Sequence, residues 1–273
     1  MLLLSKYHGC GNDFLITEKQ GLASAQKCAL AKKLCERHIG IGADGMIFLK
    51  RNPLTMEIYN SDGSSAPMCG NGIRCLAKYA LDQNIINQND FYVYTKAGIK
   101  ALHIHSKQPF SVSVNMGKAS FDPHDTMLKD QRMINYPLRI GNQLFNLTTI
   151  FMTTLHTVLF VEHDPVYVLK KFGKAIHEHP LFPQKTNVNF VRVIDRSHLS
   201  VSTYERGAGM TLACGSGCCA AAYVAWLQKL VDSPVQISLP QGNLQILIDE
   251  KECLIMRGGA EKIVDAFVTI PIL

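Results

Sequence analysis

The chain has 273 residues, of which 47% are hydrophobic and 18% are charged, and its formal net charge is +6. This length predicts two domains of roughly 120–150 residues, and the composition is that of an ordinary globular protein. The positive charge is mild and spread out, without runs of Lys and Arg interleaved with aromatic residues, which argues against nucleic-acid binding.

The nine cysteines do not indicate a disulfide framework, because the number is odd and the chain is long. No apolar stretch reaches membrane-spanning length; the longest is 218–227. The first residues also lack the basic segment and apolar core of a signal peptide. We therefore expect a cytoplasmic protein with reduced thiols and no membrane association.

Hydrophobic periodicity predicts strands and helices along the whole chain. The expected elements of the first half are two strands within 2–17 around a turn at 8–13, a helix at 23–37, strands at 46–49 and 56–59, a helix at 72–83, and strands at 91–95, 99–105 and 110–115. Those of the second half are strands at 144–151 and 157–162, a helix at 165–178, strands at 188–194 and 200–204, a helix at 217–231, and strands at 235–238, 244–249, 253–257 and 266–270.

The strand pattern is interrupted at Met116–Gly117 and again at Pro123, which indicates a domain boundary. We therefore predict domains at 1–117 and 118–262, with the final segment, 263–273, packing back onto the first domain.

Two segments of the sequence repeat each other. Met68–Gly72 is matched by Ala213–Gly217, so that the cysteines are separated by 214 − 69 = 145 positions, and Tyr59–Asn60 is matched by Tyr204–Glu205 at the same offset. Such a repeat predicts two similar halves. The predicted helix at 217–231 is apolar on every side, so we expect it to be buried. The predicted fold class is α+β: two pseudo-symmetric domains, each a curved mixed sheet wrapped around a central helix, with the active site in the cleft between them.

Each copy of the repeat places a cysteine before Gly-x-Gly at the start of a predicted helix. The glycines let a ligand approach the free N–H groups of the first turn, where the helix dipole is positive and a carboxylate can bind. The same field is expected to lower the pKa of each cysteine. With one thiol on each face of an amino acid, Cys69 and Cys214 could remove the α-proton and return a proton from the opposite side. The amides would stabilise the enediolate. This pattern predicts amino-acid epimerisation without a cofactor.

Other motifs indicate less. The Gly-x-Gly-x-x-Gly match at 40–45 follows a helix and precedes a strand, the reverse of a dinucleotide site. The histidine pairs 103/105 and 177/179 are expected at the surface or on a strand face, and neither they nor the cysteines complete a metal-ligand set. We therefore expect no metal and no cofactor. A redox protein or cysteine hydrolase that pairs a thiol with His156 is an alternative of another class, but it leaves the second Cys-Gly-x-Gly unexplained.

Several segments, spread almost from end to end, belong to one pattern. They are His8–Phe14, Arg37–Gly45, Asn60–Ser64, Met68–Cys75, Thr186–Phe190, Tyr204–Gly207 and Cys214–Gly217. In these segments the chain resembles the diaminopimelate epimerase family, cofactor-independent enzymes of lysine and peptidoglycan precursor synthesis. The resemblance implies inversion of LL-diaminopimelate to the meso form, a homodimer, and a domain closure that excludes water.

The resemblance also implies a role for each matching residue. Cys69 and Cys214 would be the acid/base pair. The reacting end of the substrate would be held by Asn12, Gly70, Asn71, Gly215 and Ser216. The distal amino-acid group would be held by Asn60, Asn187 and Arg206, while Glu205 would orient the reacting amine. Supporting positions would be Gly45 and His156. Independently of the family, Arg206 suits bidentate carboxylate binding.

One position departs from the family pattern. Where the family usually has Gly-Asn-Pro-His, this chain has Thr153–His156, so that Thr154 replaces an asparagine expected to contact the distal group. We expect this change to affect the choice of substrate rather than the type of reaction. A racemase of another amino acid, such as histidine, therefore stays open as an alternative.

Overall fold

The chain forms two compact units. The structure, a computed structural model, describes residues 1–126, 128 and 132–269. Unit 1 comprises Met1–Val114 and the segment that begins at Gly258, and unit 2 comprises Asn115–Arg257. The sequence analysis placed the two limits at 117 and 262. Within the described residues, no helix has the length and hydrophobicity needed to cross a membrane.

The elements alternate along the chain much as the periodicity predicts. The first ten are β1 (Leu2–Gly9), β2 (Asn12–Thr17), α1 (Ser24–Cys35), β3 (Gly45–Lys50), β4 (Thr55–Asn60), β5 (Ser65–Ala66), α2 (Gly70–Asp82), β6 (Asp90–Thr95), β7 (Gly98–Lys107) and β8 (Phe110–Lys118). They are followed by α3 (Pro123–Thr126), β9 (Tyr136–Ile140), β10 (Gln143–Met152), β11 (Thr154–Phe160), α4 (Pro165–His177), β12 (Asn187–Asp195), β13 (His198–Glu205) and β14 (Gly209–Thr211). The last are α5 (Gly215–Leu227), β15 (Val235–Leu239), β16 (Gly242–Ile248), β17 (Cys253–Gly258) and β18 (Glu261–Val268).

The two units have the same pattern of strand pairing. In unit 1, β1 and β2 are antiparallel, β2 and β3 parallel, β3 and β4 antiparallel, and β4 pairs with β5 and, in parallel, with β6. In unit 2, β10 to β13 repeat this sequence of directions, and β13 pairs with β14 and, in parallel, with β15. A further antiparallel strand lies beside the first in each case: β18 beside β1, and β9 beside β10. The predicted α+β class with two similar mixed sheets is confirmed.

One helix is buried against the sheet of each unit. Helix α2 packs on β1, β2, β3, β4 and β18, and helix α5 packs on β10, β11, β12, β13, β15 and β16. Residues 217–225 of α5 are buried, as predicted from a helix without charged side chains. Each fully buried large apolar side chain stabilises such an arrangement by roughly 1.5–3 kcal/mol. This packing fixes the position of each helix start.

The predicted helix boundaries were partly wrong. Both central helices begin directly after the cysteine, at Gly70 and Gly215, because Cys69 and Cys214 have extended backbones and act as N-cap residues. The predicted continuation of α5 to residue 231 is wrong, since Lys229 has a φ of 59°, in the left-handed region that ends a helix.

The periodicity missed the shortest elements, β5, α3, β9 and β14. Strand β9 contains Pro137, and proline usually argues against a strand. Here the strand forms by antiparallel pairing with β10, where Pro137 lies opposite Asn146. The last strand begins at Glu261, whereas the sequence analysis placed its start at residue 266. The periodicity missed the first five residues because their side chains are all exposed and show no alternation. Residue 270, where that strand was predicted to end, lies outside the described residues.

Candidate functional site

Each unit places predicted site residues at equivalent positions of its repeat. Asn12 and Thr154 begin β2 and β11, Gly45 and Asn187 begin β3 and β12, Asn60 and Glu205 end β4 and β13, and Cys69 and Cys214 precede α2 and α5. The strands in each set are neighbours, so pairing brings their ends to one edge of the sheet. We call these residues, with the first residues of the following helix, the unit 1 cluster and the unit 2 cluster.

Cys69 caps helix α2 in the unit 1 cluster. Its φ and ψ of −134° and 125° are extended, and its Sγ accepts a hydrogen bond from the backbone N–H of Gly72 at 3.4 Å. The thiol also donates to Oδ1 of Asn12, with the two atoms 3.9 Å apart. The sulfur therefore lies at the positive end of a buried helix, next to a residue predicted to bind substrate.

The side chain of Asn12 is held in one orientation. Its Nδ2 donates to Oδ2 of Asp44 at 2.5 Å, while its Oδ1 accepts from Nδ2 of Asn71 at 3.0 Å. Asp44 is in turn bound by Arg37 at 2.7 Å. The sequence analysis missed Asp44 as a positioning residue, although it lies in the Arg37–Gly45 segment that carries the family resemblance.

Gly45 and Asn60 lie side by side, since β3 and β4 pair them directly. A Cβ at position 45 would lie 2.8 Å from the carbonyl oxygen of Tyr59 and 3.3 Å from the ring of Phe14. Glycine is therefore needed there for the close approach of the strands. The Asn60 side chain is exposed, and its Nδ2 donates to Oγ of Ser64 at 2.9 Å.

Cys214 caps helix α5 in the unit 2 cluster and is 5% exposed. Burial, followed by the negative charge of Glu205, raises the pKa of this thiol well above its ordinary value, although Ser216, whose Oγ lies 3.6 Å from Sγ, acts in the opposite direction. The expectation that the helix start lowers the pKa is thus wrong for Cys214. Removal from water and a neighbouring carboxylate outweigh the helix dipole.

Asn187 connects Thr154 with the Glu205–Arg206 segment. Its Nδ2 donates to Oγ1 of Thr154 at 2.9 Å, and its Oδ1 accepts from the backbone N–H of Arg206 at 2.7 Å. The Arg206 side chain is exposed, and Glu205 accepts a hydrogen bond from Thr211 at 2.5 Å. Thr154, which replaces the asparagine of the family pattern, is therefore part of the hydrogen-bonded cluster.

His156 is fully buried in the unit 2 cluster. Its Nε2 lies 3.0 Å from Oγ of Ser216 and 3.1 Å from Oγ1 of Thr154. Burial, and secondarily the positive charge of Arg206, lowers the pKa of His156 to about 3, so the ring is neutral near pH 7. The ring nitrogens of His156 are hydrogen-bonded to the hydroxyls of Ser216 and Thr154 and to the amide of Asn189 rather than to a thiol, which argues against a Cys–His couple.

The remaining cysteines and histidines were not predicted to belong to the site. Cys75, Cys218 and Cys219 are fully buried inside the central helices, and no disulfide joins any of the nine cysteines, all of which lie within the described residues. His177 was expected at the surface or on a strand face, but this is wrong: it lies in α4 and is 4% exposed, and its Nδ1 lies 2.7 Å from the carbonyl oxygen of Thr186. In the described part of the chain, no three His, Cys, Asp or Glu side chains are arranged to hold a metal ion.

The chain is similar to known proteins over most of its length. The family model described as "Diaminopimelate epimerase" matches residues 4–122 and 148–263. The diaminopimelate epimerase of Clostridium perfringens is 40% identical over 96% of this chain and 97% of its own length. That of Alkaliphilus metalliredigens is 38% identical over 94% of each chain.

Solved structures of other proteins share the fold. A probable proline racemase from Agrobacterium radiobacter superposes with a TM-score of 0.72 at 11% identity, covering 99% of this chain and 93% of its own. A protein of the phenazine biosynthesis PhzF family from Bacillus anthracis gives a TM-score of 0.69 at 13% identity, covering 98% and 99% of the two chains. At these identities the likeness concerns the fold alone.

Proposed function

Because the chain belongs to the diaminopimelate epimerase family, we propose that it is an isomerase that converts LL-2,6-diaminopimelate to the meso form by inverting one α-carbon. The observation that carries this proposal is the match with named diaminopimelate epimerases along nearly the whole chain. The two capping cysteines at equivalent positions of the repeat agree with it.

In the proposed mechanism, Cys69 and Cys214 act on opposite faces of the α-carbon. One thiolate takes the α-proton, which breaks the C–H bond, and the other thiol gives its proton to the opposite face, which forms the new C–H bond. The raised pKa of Cys214 keeps this residue a thiol in the free protein. We therefore assign Cys214 as the proton donor, which requires Cys69, whose thiol donates to Asn12 in the free protein, to lose its own proton before it acts as the base. The chemistry requires only these protein groups and no cofactor.

The remaining cluster residues bind and orient the substrate in this proposal. The N–H groups of Gly70, Asn71, Gly215 and Ser216, in the first turns of the two helices, would bind the reacting carboxylate and stabilise the enediolate as its charge grows. The exposed guanidinium of Arg206 would bind the distal carboxylate in a bidentate manner. Asn60, Asn187 and Thr154 would contact the same distal group, and Glu205 would orient the reacting amine.

Hydrogen exchange in deuterated water tests the proposal directly. With LL-diaminopimelate as substrate, we expect the wild-type protein to produce the meso isomer and to incorporate deuterium at the α-carbon. Cys69→Ala and Cys214→Ala should each abolish turnover, whereas Cys28→Ala, a half-buried cysteine of α1, should retain it. Formation of the meso isomer at the wild-type rate after either of the first two changes would exclude the two-thiol mechanism, whereas exchange without inversion needs only the one remaining thiol.

A panel of other L-amino acids, including histidine, tests the substrate assignment. We expect the highest kcat/KM with LL-diaminopimelate. Clearly faster formation of a D-amino acid from another member of the panel would show that the scaffold serves a different racemase.

We also propose, from the family resemblance, that the protein acts as a homodimer in the cytoplasm and closes around its substrate. Light scattering of the purified protein tests the dimer, since a monomeric mass at working concentration would contradict it. Fractionation of cells that express the protein tests its location.

A further inference from the structure

Asn189 is a fully buried residue of β12 that contacts His156 on the neighbouring strand β11. Its Nδ2 lies 3.3 Å from the carbonyl oxygen of Thr157 and 3.5 Å from that of Asn187, while its Oδ1 accepts from Oγ1 of Thr203 at 3.0 Å. Carbonyl oxygens only accept hydrogen bonds, so the NH₂ group of the amide must face them. The orientation of the Asn189 side chain is therefore determined by groups other than His156.

This orientation decides which nitrogen of His156 carries the proton. Nδ2 of Asn189 lies 3.2 Å from Nδ1 of His156. An amide NH₂ can only donate, so Nδ1 must be the unprotonated acceptor. The buried ring is neutral and has a single N–H, which is therefore on Nε2.

The Nε2–H group in turn determines what the hydroxyl of Ser216 does. Nε2 donates to Oγ of Ser216 at 3.0 Å, with Oγ1 of Thr154 as a second acceptor at 3.1 Å. Because Ser216 accepts from the ring, its own hydroxyl proton is available for Sγ of Cys214, 3.6 Å away. The hydrogen bonds from Asn189 to His156, from His156 to Ser216 and from Ser216 to Cys214 are then all donated in the direction of the sulfur.

We propose that Asn189 is a positioning residue that sets the direction of this hydrogen-bond chain, so that Ser216 donates to the Cys214 thiolate each time Cys214 has given its proton to the substrate. The catalytic part of this inference rests on the proposed function. The tautomer of His156 is a property of the folded protein and can be tested without substrate.

The first turn of α5 leaves room for this arrangement. A Cβ at Gly217 would overlap with Oδ1 of Asn189, whereas a Cβ at the equivalent Gly72 of α2 would meet the ends of two isoleucine side chains at 3.3 Å and the Cβ of Cys69 at 3.4 Å. Close approach of the helix backbone to Asn189 is therefore specific to unit 2.

Nitrogen NMR of protein labelled with ¹⁵N-histidine tests the proposal. We expect the wild-type His156 ring to give the spectrum of the Nε2–H tautomer from pH 8 to pH 6. In Asn189→Asp, a side chain of the same size, the carboxylate accepts instead of donating. The proton should then move to Nδ1, and Ser216 should turn its hydroxyl to Nε2. An Nδ1–H tautomer in the wild type, or an unchanged tautomer in folded Asn189→Asp, would overturn the proposal.

Turnover and thiol chemistry provide the second readout. With LL-diaminopimelate, we expect Asn189→Asp to lower kcat on the order of 10²-fold with little change in KM, in line with the loss of one positioned proton-transfer partner. The apparent pKa of Cys214, measured from the pH dependence of its alkylation rate, should also rise, because Ser216 would no longer donate to the thiolate. Asn146→Asp, the same change at an exposed position of β10, should affect neither.

The outcomes distinguish the two proposals. A wild-type protein that lacks epimerase activity but shows the Nε2–H tautomer would refute the proposed function and leave the hydrogen-bond chain supported. If Asn189→Asp does not fold, Asn189→Ser removes the donor to Nδ1 without adding charge. We expect it to weaken the preference for Nε2–H, and an unchanged preference would contradict the role of Asn189.

Discussion

His156 should make the folded protein sensitive to mild acid. Its pKa is about 3 in the folded state and 6.5 by reference for the unfolded state, because burial disfavours the charged ring. Between these values the unfolded chain binds a proton that the folded chain does not. The stability contributed by the neutral ring is therefore present above about pH 6.5 and is lost progressively as the pH falls towards 3.

The size of the effect follows from the two pKa values. A pH of 5 is about 1.5 units below the pKa of histidine in the unfolded chain, and one unit corresponds to about 1.36 kcal/mol. The folded ring is still neutral there. Lowering the pH from 7 to 5 should thus reduce the free energy of unfolding by about 2 kcal/mol through this one residue.

Urea unfolding at pH 7 and pH 5 measures this contribution. We compare the wild type with His156→Gln, whose side chain stays neutral, and with His163→Gln, a change at an exposed histidine of the same unit. The decrease from pH 7 to pH 5 should be about 2 kcal/mol smaller in His156→Gln than in the other two proteins. Equal decreases in all three would show that His156 takes up its proton in the folded state, and the reasoning would fail.

Two further predictions concern residues that support the clusters. Gly217→Ala should destabilise the protein by about 1–3 kcal/mol because its Cβ would overlap with Asn189, whereas Gly72→Ala should cost less, because its Cβ would meet side-chain atoms no nearer than 3.3 Å; equal losses in thermal unfolding would contradict this. Asp13→Asn should cost about 1.5–3 kcal/mol near pH 7, because Asp13 accepts charge-assisted hydrogen bonds from two cationic side chains. Burial alone would raise the pKa of Asp13, but these partners lower it below its ordinary 3.8, so the stabilisation is present above that value and is lost as the pH falls through the folded pKa. The Asp13→Asn deficit in urea unfolding should therefore shrink below about pH 4, and a deficit independent of pH would exclude the charge as its source.

The hydrophobic pattern of short sequence segments was sufficient to predict most of the helices and strands. The central helices were predictable because a long apolar run after Cys-Gly-x-Gly contains both a helix start and a buried face. Short elements such as Ser65–Ala66 and Gly209–Thr211 escaped prediction, since two or three residues cannot show a period. Their existence depends on pairing with the ends of β4 and β13.

The hydrogen-bond partners within the clusters were beyond the reach of local pattern. Asn12 is oriented by Asp44, 32 positions away, and His156 by Asn189, 33 positions away. Both partners lie within segments of the family resemblance, but only the pairing of neighbouring strands brings them into contact. Sequence reasoning therefore identified the chemical groups without the contacts that orient them.

The sequence by itself determined the repeat, the two cysteines and the helix that follows each of them, because these are properties of spacing and of short-range backbone preference. It could not determine the protonation of the groups at those helix starts. The pKa of Cys214 rises and that of His156 falls because folding removes both from water and places Glu205 near the thiol and Arg206 near the ring. Burial and the distance to a charge are properties of tertiary structure, and here they prevail over the helix dipole that the sequence predicts.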